Sequence, residues 1–284
     1  MRCCFADLEF EFDIKGMPIV SDAMCKPFLS DLTTKADFFY YEKPLVPQLL
    51  HGSKQIKYAG GYELLQTENG MFHRNHWATC RKAYGFFTDD LATTTPIYVN
   101  EALMQEIPIS ASYFLSTIGL HRKLLSKGAV VLHCSYIEHN GKAILFLGPS
   151  GTGKSTQAQL WQEHENAQII NGDRALLRRS SGRWMVYGYP CCGSSSVCIN
   201  KTLPLAALVV LRQGKENIIE PLRAARKICV LTAATEVYPW DSWEVAQAFD
   251  TAQNLSGSIP MFQFSCTKDQ RAVETLKEYL ETIV

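Results

Sequence analysis

The sequence lacks several features that mark specialised classes of protein. Its basic and acidic residues balance, 28 against 28, so it offers no basic surplus for nucleic acid and no overall charge for an anionic membrane surface. No apolar run reaches the length of a membrane span. No internal repeat and no low-complexity linker interrupts the chain. These absences predict a globular protein whose partners include neither nucleic acid nor a membrane.

A secretory leader and a disulfide framework are also missing. The start of the chain soon turns acidic, at Glu9, Glu11 and Asp13, and has no apolar stretch of the signal-peptide type. Ten cysteines are present, but they are scattered, and none stands in a C-x-x-C motif. Such a pattern favours reduced thiols in the cytosol. We therefore expect a cytoplasmic protein with free cysteines.

The amino-acid composition is typical of a protein with a large folded core. Hydrophobic residues make up 46% and charged residues 20% of the 284 residues, enough for one large domain or two ordinary ones. We predict two, at 1–100 and 101–284, because the pattern changes near residue 100. Residues 8–14 alternate between apolar and acidic side chains, which predicts a strand with one wet face. Further short strands are predicted at 38–41, 56–58 and 96–99, so the first region is mostly β.

The second region is predicted to alternate between helices and strands. Residues 102–125 have a helical pattern with an interruption near Pro108. The apolar run 129–137 predicts one strand, and Asn140-Gly141 predicts a hairpin turn after it. Other strands are predicted at 143–147, 167–173, 175–178, 183–187, 205–211 and 261–265. Helices are predicted over 156–161, over 233–255 with a break at Pro239, and over 269–283 with Val273, Leu276 and Leu280 on one apolar face.

The strongest motif is a glycine-rich loop between a predicted strand and a predicted helix. Residues 148–155 fit G-x-x-x-x-G-K-[ST], the phosphate-binding P-loop or Walker A motif. Its glycines let successive backbone N–H groups point inward and form an anion nest at the start of the helix. Lys154 would reach the β- and γ-phosphates of ATP, and the Ser155 hydroxyl would hold Mg²⁺. The predicted nucleotide-binding residues are Gly148, Ser150, Gly151, Thr152, Gly153, Lys154, Ser155 and Thr156.

The residues around this loop carry a resemblance to a known family. The strand with Leu132-His133-Cys134-Ser135, the hairpin, the loop and the strand that ends at Asp173 resemble HPr kinase and its relatives. That family shares its nucleotide-binding core with phosphoenolpyruvate carboxykinase. The resemblance covers about 101–284. It implies an α/β fold, a P-loop mixed sheet with flanking helices, to which 1–100 adds a β-rich accessory domain.

The resemblance also implies a reaction. A kinase of this type would transfer the γ-phosphate of ATP to a serine or threonine of a protein or peptide, or to a small-molecule hydroxyl. Lys154 would act as the catalytic cation, and His133 would contact the transferred phosphate. Asp173 would act as base, as Mg²⁺ ligand, or as both. The acceptor and the base preference stay open, a homo-oligomer is an open alternative, and 1–100 is a candidate for substrate recruitment.

One departure from the family pattern keeps a second function open. The family commonly ends this strand on two adjacent carboxylates, whereas this chain has Gly172-Asp173. Loss of one carboxylate could slow turnover or require another base. The alternative function is a catalytically weak nucleotide-binding switch or a regulatory peptide-binding partner. For the two residues themselves a structural role is also open: Asp173 would only cap a turn, and His133 would be a satisfied buried histidine.

Several weaker candidates complete the sequence prediction. Arg174 and Arg212 are either charge stabilisers at strand ends or members of surface ion pairs. The segment 188–196 is either a substrate lip rich in serine and glycine or an ordinary surface loop. Two further sets have metal-ligand residue types without a supporting second pair, so we favour structural roles for them. They are Cys191, Cys192 and Cys198, and His73 with His76.

Overall fold

The computed structural model describes residues 1–59, 61–77, 82–89, 92–100 and 108–283. It divides into two compact units, Met1–Ser126 and Lys127–Val284. Sheets and helices are both present, so the predicted α/β class is confirmed. The domain boundary predicted after residue 100 stays a prediction, and the helical pattern predicted over 102–107 lies outside the described residues. No helix among the described residues is both long enough and apolar enough to cross a membrane.

The first unit is built around an eight-stranded sheet with the order β1-β2-β4-β9-β8-β7-β6-β5. Its strands are β1 Arg2–Phe5, β2 Leu8–Asp13, β4 Phe38–Pro44, β5 Lys54–Ala59, β6 Tyr62–Thr67, β7 Gly70–Trp77, β8 Lys82–Phe87 and β9 Thr94–Val99. Strand β4 runs parallel to both of its neighbours, β2 and β9. The other pairs in this sheet are antiparallel. The four strands predicted in this region are all confirmed.

Alternation of side chains in β2 explains how this sheet builds its core. Phe10 and Phe12 point to the buried face, where each stacks on a ring of β4, Phe38 or Tyr40, at 5.0 Å between ring centroids. The predicted wet face is only partly wet. Glu9 is 8% exposed and accepts a hydrogen bond from the Ser30 hydroxyl at 3.0 Å. A polar side chain can be covered in this way when a hydrogen-bond donor is buried with it.

The two histidines of β7 have separate protein partners. The His73 ring stacks on Phe86, and its Nδ1 lies 2.8 Å from the Tyr62 hydroxyl. His76 Nε2 lies 2.7 Å from Glu63 Oε2. Burial raises the pKa of Glu63, but its hydrogen bonds to His76 and Arg74 outweigh that effect and lower the pKa below its ordinary value. Both histidines thus have protein partners, and the described part of the chain holds no metal-binding group of three His, Cys, Asp or Glu residues.

Two short strands and two short helices complete the first unit. The strands β3 Ile19–Val20 and β10 Ile109–Ser110 pair in parallel. The helices are α1 Ala111–Thr117 and α2 Leu120–Leu125. They are separated by Gly119, which has a φ of 67° and cannot continue a right-handed helix. The helical pattern predicted up to residue 125 therefore forms two helices in its described part.

The second unit contains a nine-stranded sheet and four helices among the described residues. Its strands are β11 Ala129–His133, β12 Ser135–His139, β13 Lys142–Leu147, β14 Gln168–Asn171, β15 Arg174–Ser180, β16 Arg183–Tyr187, β17 Thr202–Gln213, β18 Ile218–Pro221 and β19 Met261–Cys266. Its helices are α3 Lys154–Glu165, α4 Ala224–Ala234, α5 Ser242–Ser258 and α6 Gln270–Ile283. The strand order is β11-β15-β16-β17-β13-β12-β14. Strand β19 also pairs with β17, and β18 pairs with β19.

At two neighbouring points the chain crosses between the β11–β15 pair and the β12–β14 pair of this sheet. The single strand predicted over 129–137 is wrong, because it breaks at Cys134 into β11, which pairs with β15, and β12, which pairs with β13 and β14. The predicted strand 167–173 likewise ends at Asn171, and Gly172-Asp173 leads into β15. The Cys134 N–H donates to the Asp173 carbonyl at 3.0 Å. The two crossings therefore lie side by side and bring His133 next to Asp173.

Strand β17 is the centre of the second unit. Its apolar run was predicted as a buried strand and is confirmed, since 203 and 205–211 are all buried. It runs parallel to β13 on one side and to β19 on the other. The carboxyl ends of these three strands consequently share one edge of the sheet. Helices α3 and α6 cover one face, and the apolar stripe predicted on α6 is confirmed by burial of Val273, Leu276 and Leu280.

The turns and helix boundaries of the second unit agree only in part with those predicted from the sequence. The predicted hairpin turn is confirmed, with positive φ at Asn140, 52°, and Gly141, 74°, as in a type I′ turn. The helix predicted over 233–255 has its boundaries wrong. Helix α4 already begins at Ala224, and an irregular segment separates it from α5, whose first N–H groups donate to the Asp241 carboxylate.

We expect Leu276→Ala to destabilise the second unit by about 2–5 kcal/mol, because Leu276 is fully buried in the core between α6 and the sheet. Chemical denaturation of the full chain measures this change. The exposed neighbour Glu278→Ala is the control and should stay within about 0.5 kcal/mol of the wild type. Equal effects of the two substitutions would contradict the assigned core face of α6.

Candidate functional site

The P-loop motif connects β13 to α3, the strand–loop–helix context predicted for it. Gly148, Gly151 and Gly153 have φ values of 144°, 80° and 100°, which side chains other than glycine rarely adopt. A Cβ on Gly148 would also lie 2.8 Å from Thr152 Oγ1. The first N–H groups of α3 have no acceptor within the helix. The loop therefore presents backbone donors to an anion at the positive end of a helix.

Lys154 lies over this loop at the start of α3. Its side chain is largely buried, and Nζ donates to the carbonyls of Gly148 at 2.8 Å and Pro149 at 3.2 Å. Burial lowers the pKa of Lys154, although Asp173 partly opposes the shift. A lysine in this position can exchange its carbonyl contacts for phosphate oxygens without leaving the loop. The residues of the loop thus fit a nucleotide phosphate chain.

Asp173 is the carboxylate nearest to the crossing of the two chain segments. His133 Nδ1 lies 3.2 Å from its Oδ1, and an Arg174 guanidinium nitrogen lies 3.1 Å from its Oδ2. Arg174 Nε in turn lies 2.7 Å from Glu236 Oε2. The hydrogen bond from His133 and the charge of Arg174 outweigh burial and lower the pKa of Asp173. Asp173 is therefore a firmly ionised carboxylate with both oxygens already engaged.

Asn171 fixes the turn that presents Asp173. Its Oδ1 accepts the N–H groups of Asp173 and Arg174, both at 2.9 Å. Its Nδ2 donates to the carbonyls of Tyr189 at 2.9 Å and Cys191 at 3.2 Å. The side chain is completely buried. One amide thus holds the carboxylate turn and the segment after β16 together.

The segment after β16 closes over Gly172 and Asp173. A Cβ on Gly172 would lie 2.4 Å from the Cβ of Ser195 and 2.6 Å from its Oγ. A Cβ on Gly193 would lie 2.8 Å from Asp173 Cγ. Contacts this short exclude any side chain at 172 while Ser195 keeps its place. The missing second carboxylate therefore has a packing reason in this chain.

These elements enclose a cleft of about 540 Å³. The predicted site residues on its walls are His133, Ser150, Gly151, Gly153, Lys154, Ser155, Thr156 and Asp173. Gly148 and Thr152 face a neighbouring cavity instead, together with Arg212. Arg174 takes its place beside the cleft through its ion pair with Asp173. Most of the predicted site is thus brought together around one opening.

The cysteines near the cleft are buried or hydrogen-bonded within the protein. Cys191 and Cys192 are buried, and Cys198 Sγ donates to the Tyr189 carbonyl at 2.8 Å. Across the described ranges they form no metal-binding group with other His, Cys, Asp or Glu residues. Cys192 nevertheless lines the cleft, close to Ser195. The segment 188–196 is thus part of the cleft wall rather than a detached surface loop.

Sequence reasoning missed Lys268, which also lines the cleft. It follows β19 by two residues, and β19 ends at the same sheet edge as β13 because both run parallel to β17. Gln157 of α3 ties this end of β19 to the helix by donating to the Thr267 carbonyl at 3.2 Å. The available signal was a lysine just after a predicted strand. It becomes informative only once the strand order is known.

Comparison with known proteins identifies the family. A family model described as SynChlorMet cassette protein ScmC matches residues 103–281. The chain belongs to the ScmC family. No curated protein matches the sequence. Among solved structures, the HPr(Ser) kinase/phosphatase from Coxiella burnetii is 9% identical over 54% of this chain and 96% of its own, with a TM-score of 0.34. That likeness is weak at the level of the fold, and the resemblance of this ScmC-family chain to HPr kinases stays a prediction.

We expect His133→Ala to raise the pKa of Asp173, since the hydrogen bond from His133 is the largest cause of its lowering. A carboxyl NMR titration of the metal-free protein measures the change. His133→Asn can keep a donor near Nδ1 and should give a smaller rise. Because the folded pKa is depressed, the pair stabilises the fold above the ordinary aspartate pKa and loses this effect as pH falls through the folded value. An unchanged Asp173 titration in His133→Ala would contradict the pairing.

We expect Gly172→Ala to destabilise the protein by about 1–3 kcal/mol through overpacking against Ser195. Gly172→Ala combined with Ser195→Gly should recover most of this loss, because the nearest remaining Ser195 atom, Cα, would lie at 3.9 Å. Gly257→Ala in α5 is the control, since nothing lies within 4 Å of its added Cβ. Thermal and chemical unfolding of the wild type, Gly172→Ala, Ser195→Gly and the double variant gives the coupling energy. Additive effects would rule out the contact.

Proposed function

We propose that this chain binds Mg·ATP and transfers its γ-phosphate to a hydroxyl of a protein, a peptide or a small molecule. One observation carries the proposal. Lys154 and Ser155 of the P-loop line the same cleft as Asp173 and His133. Phosphoryl transfer requires a phosphate cradle, a metal-binding oxygen set and a carboxylate near the acceptor in one opening. This cleft supplies candidates for each.

Each residue has a role that its surroundings support. The backbone N–H groups of the loop and the Lys154 ammonium would bind the phosphate chain. The Ser155 hydroxyl and the Asp173 carboxylate are the oxygen ligands available for Mg²⁺. When bound, Mg²⁺ neutralises charge on the phosphates. His133 orients the Asp173 carboxylate and stands where it can contact the transferred group.

The state of Asp173 favours an orienting role over that of a strong base. Its lowered pKa makes it a weak proton acceptor at neutral pH. Phosphoryl transfer proceeds through a loose transition state in which positioning and charge neutralisation contribute most. A single ionised carboxylate can therefore position metal and acceptor without a second carboxylate at 172. Arg174 and Glu236 would keep that carboxylate ionised and fixed.

The proposal extends to the architecture. We take 101–284 as an HPr kinase-like nucleotide-binding domain and 1–100 as an accessory domain that recruits the acceptor. The order of β13, P-loop and α3, with β17 and β19 parallel to β13, supports this assignment. The cofactors of the proposed reaction are ATP and Mg²⁺.

A nucleotide-binding switch is the second candidate function, and one observation favours it. Gly193 and Ser195 pack directly against Asp173 and Gly172, so they cover part of the Asp173 side chain and leave 24% of it exposed. A switch would bind ATP and change the position of this segment without turnover. The protein would be a switch if its binding of ATP depends on Lys154 but it shows no Lys154-dependent release or transfer of the γ-phosphate.

We expect Lys154→Ala to lower ATP turnover by about a hundredfold or more, because it removes the cation that stabilises charge on the transferred group. Asp173→Asn, which is nearly isosteric, should keep most of the nucleotide affinity and lower turnover by about a hundredfold or more, because it removes the charge that positions metal and acceptor. Calorimetry measures binding, and release or transfer of labelled γ-phosphate measures turnover.

Two exposed positions supply matched controls for these substitutions. Lys215→Ala removes a lysine from the turn after β17, and Asp250→Asn changes an aspartate on α5. Neither should alter binding or turnover. Full turnover in Asp173→Asn would remove Asp173 from the mechanism. Unchanged binding and turnover in Lys154→Ala would refute the proposed function.

A further inference from the structure

Ser195 carries a hydroxyl on the wall of the candidate site. It lies in the serine run 194–196 of the segment after β16 and lines the cleft together with Lys154 and Ser155. Its Oγ donates to the Cys192 carbonyl at 2.7 Å and accepts a long hydrogen bond from the Val197 N–H at 3.4 Å. The side chain is partly exposed. These local bonds hold the hydroxyl at the cleft without burying it.

Ser195 also stands beside the carboxylate that is proposed to face the acceptor. It packs on Gly172, the residue before Asp173, so closely that no Cβ fits between them. Gly193 of the same segment lies against the Asp173 carboxylate. The segment therefore packs beside Asp173, the carboxylate to which the proposed function assigns the acceptor hydroxyl. Among the described residues of this segment, Ser195 brings such a hydroxyl to the cleft.

This arrangement gives Ser195 an advantage over any acceptor from solution. An external hydroxyl must diffuse into the cleft, whereas Ser195 is already held at its wall. Holding two reactants in one molecule can replace a very high concentration of a free reactant. Ser195 would react by moving along the cleft wall toward the phosphate end.

We propose that Ser195 is a phosphoryl acceptor and that the protein phosphorylates it within its own chain. The inference rests on the proposed function and names a substrate of the same site. The bond from Ser195 Oγ to the γ-phosphorus of ATP forms as the bond from that phosphorus to the ADP oxygen breaks. Asp173 orients the hydroxyl, whose proton passes to solvent water, and ADP leaves with the electron pair.

The cleft also has charges that respond to the product. A phosphoserine carries close to two negative charges at neutral pH. Lys154, His133 and Lys268 line the cleft and can bind this group, while Asp173 repels it. Repulsion from Asp173 would weaken the packing of Ser195 on Gly172. Phosphorylation would thereby loosen the segment that covers the carboxylate.

A neighbouring serine provides a matched control. Ser196 belongs to the same run, but it is exposed, adopts a φ of 55° and does not line the cleft. Modification driven by sequence alone would reach Ser196 as readily as Ser195. Modification driven by the site should select Ser195. The two serines therefore separate a reaction in the cleft from non-specific phosphorylation.

The test uses the full chain, first treated with a phosphatase that is then removed. The protein is incubated with Mg²⁺ and γ-labelled ATP, and fragmentation mass spectrometry locates the phosphate. We expect label on Ser195, at a first-order rate that does not change with protein concentration. Ser195→Ala should lose this label, Ser196→Ala should keep it, and Lys154→Ala should lower its rate by about a hundredfold or more.

The outcomes separate this inference from the proposed function. Lys154-dependent ATP binding or turnover without phosphate on Ser195 overturns the inference and leaves the proposed function in place. Phosphate on Ser196 instead of Ser195, or a rate proportional to protein concentration, also overturns transfer within the cleft. Absence of any Lys154-dependent binding, turnover or labelling overturns both.

Discussion

The buried amide of Asn171 is the interaction on which the candidate site depends. Its oxygen closes the turn that directs Asp173 toward the cleft, and its nitrogen holds the Tyr189 and Cys191 carbonyls of the covering segment. Leaving a buried amide without hydrogen-bond partners costs more free energy of folding than a satisfied amide contributes. The turn before Asp173 and the segment after β16 are therefore held in place together. The short distance between Ser195 and Gly172 follows from this coupling. The shape of the candidate site and its local stability are thus set by the same side chain.

The parts of the fold that could be predicted are those specified by neighbouring residues. The P-loop is contiguous. The glycines that shape its backbone and the phosphate- and metal-binding candidates Lys154 and Ser155 all lie within eight successive positions. The alternation in β2 and the apolar stripe of α6 also lie within single elements. The long buried strand β17 was recognisable because an unbroken apolar run suits a strand with parallel neighbours on both sides.

What could not be predicted depends on partners distant in the chain. The strand predicted over 129–137 breaks at Cys134 because β11 and β12 pair with different strands. The start of α4 lacks a side-chain cap, so no local signal marked it. Lys268 joins the cleft through the strand order, and Ser195 joins it through a contact with Gly172. None of these relations leaves a pattern within one segment.

The fit between Gly172 and Ser195 also constrains how such a sequence can change over evolutionary time. A carboxylate gained first at 172 would meet the Ser195 side chain and destabilise the protein before any benefit to catalysis could appear. A lineage that first reduces residue 195 to glycine opens the space, and the second carboxylate can then arise without that loss. The order of the two substitutions therefore matters, because the first one sets the stability cost of the second.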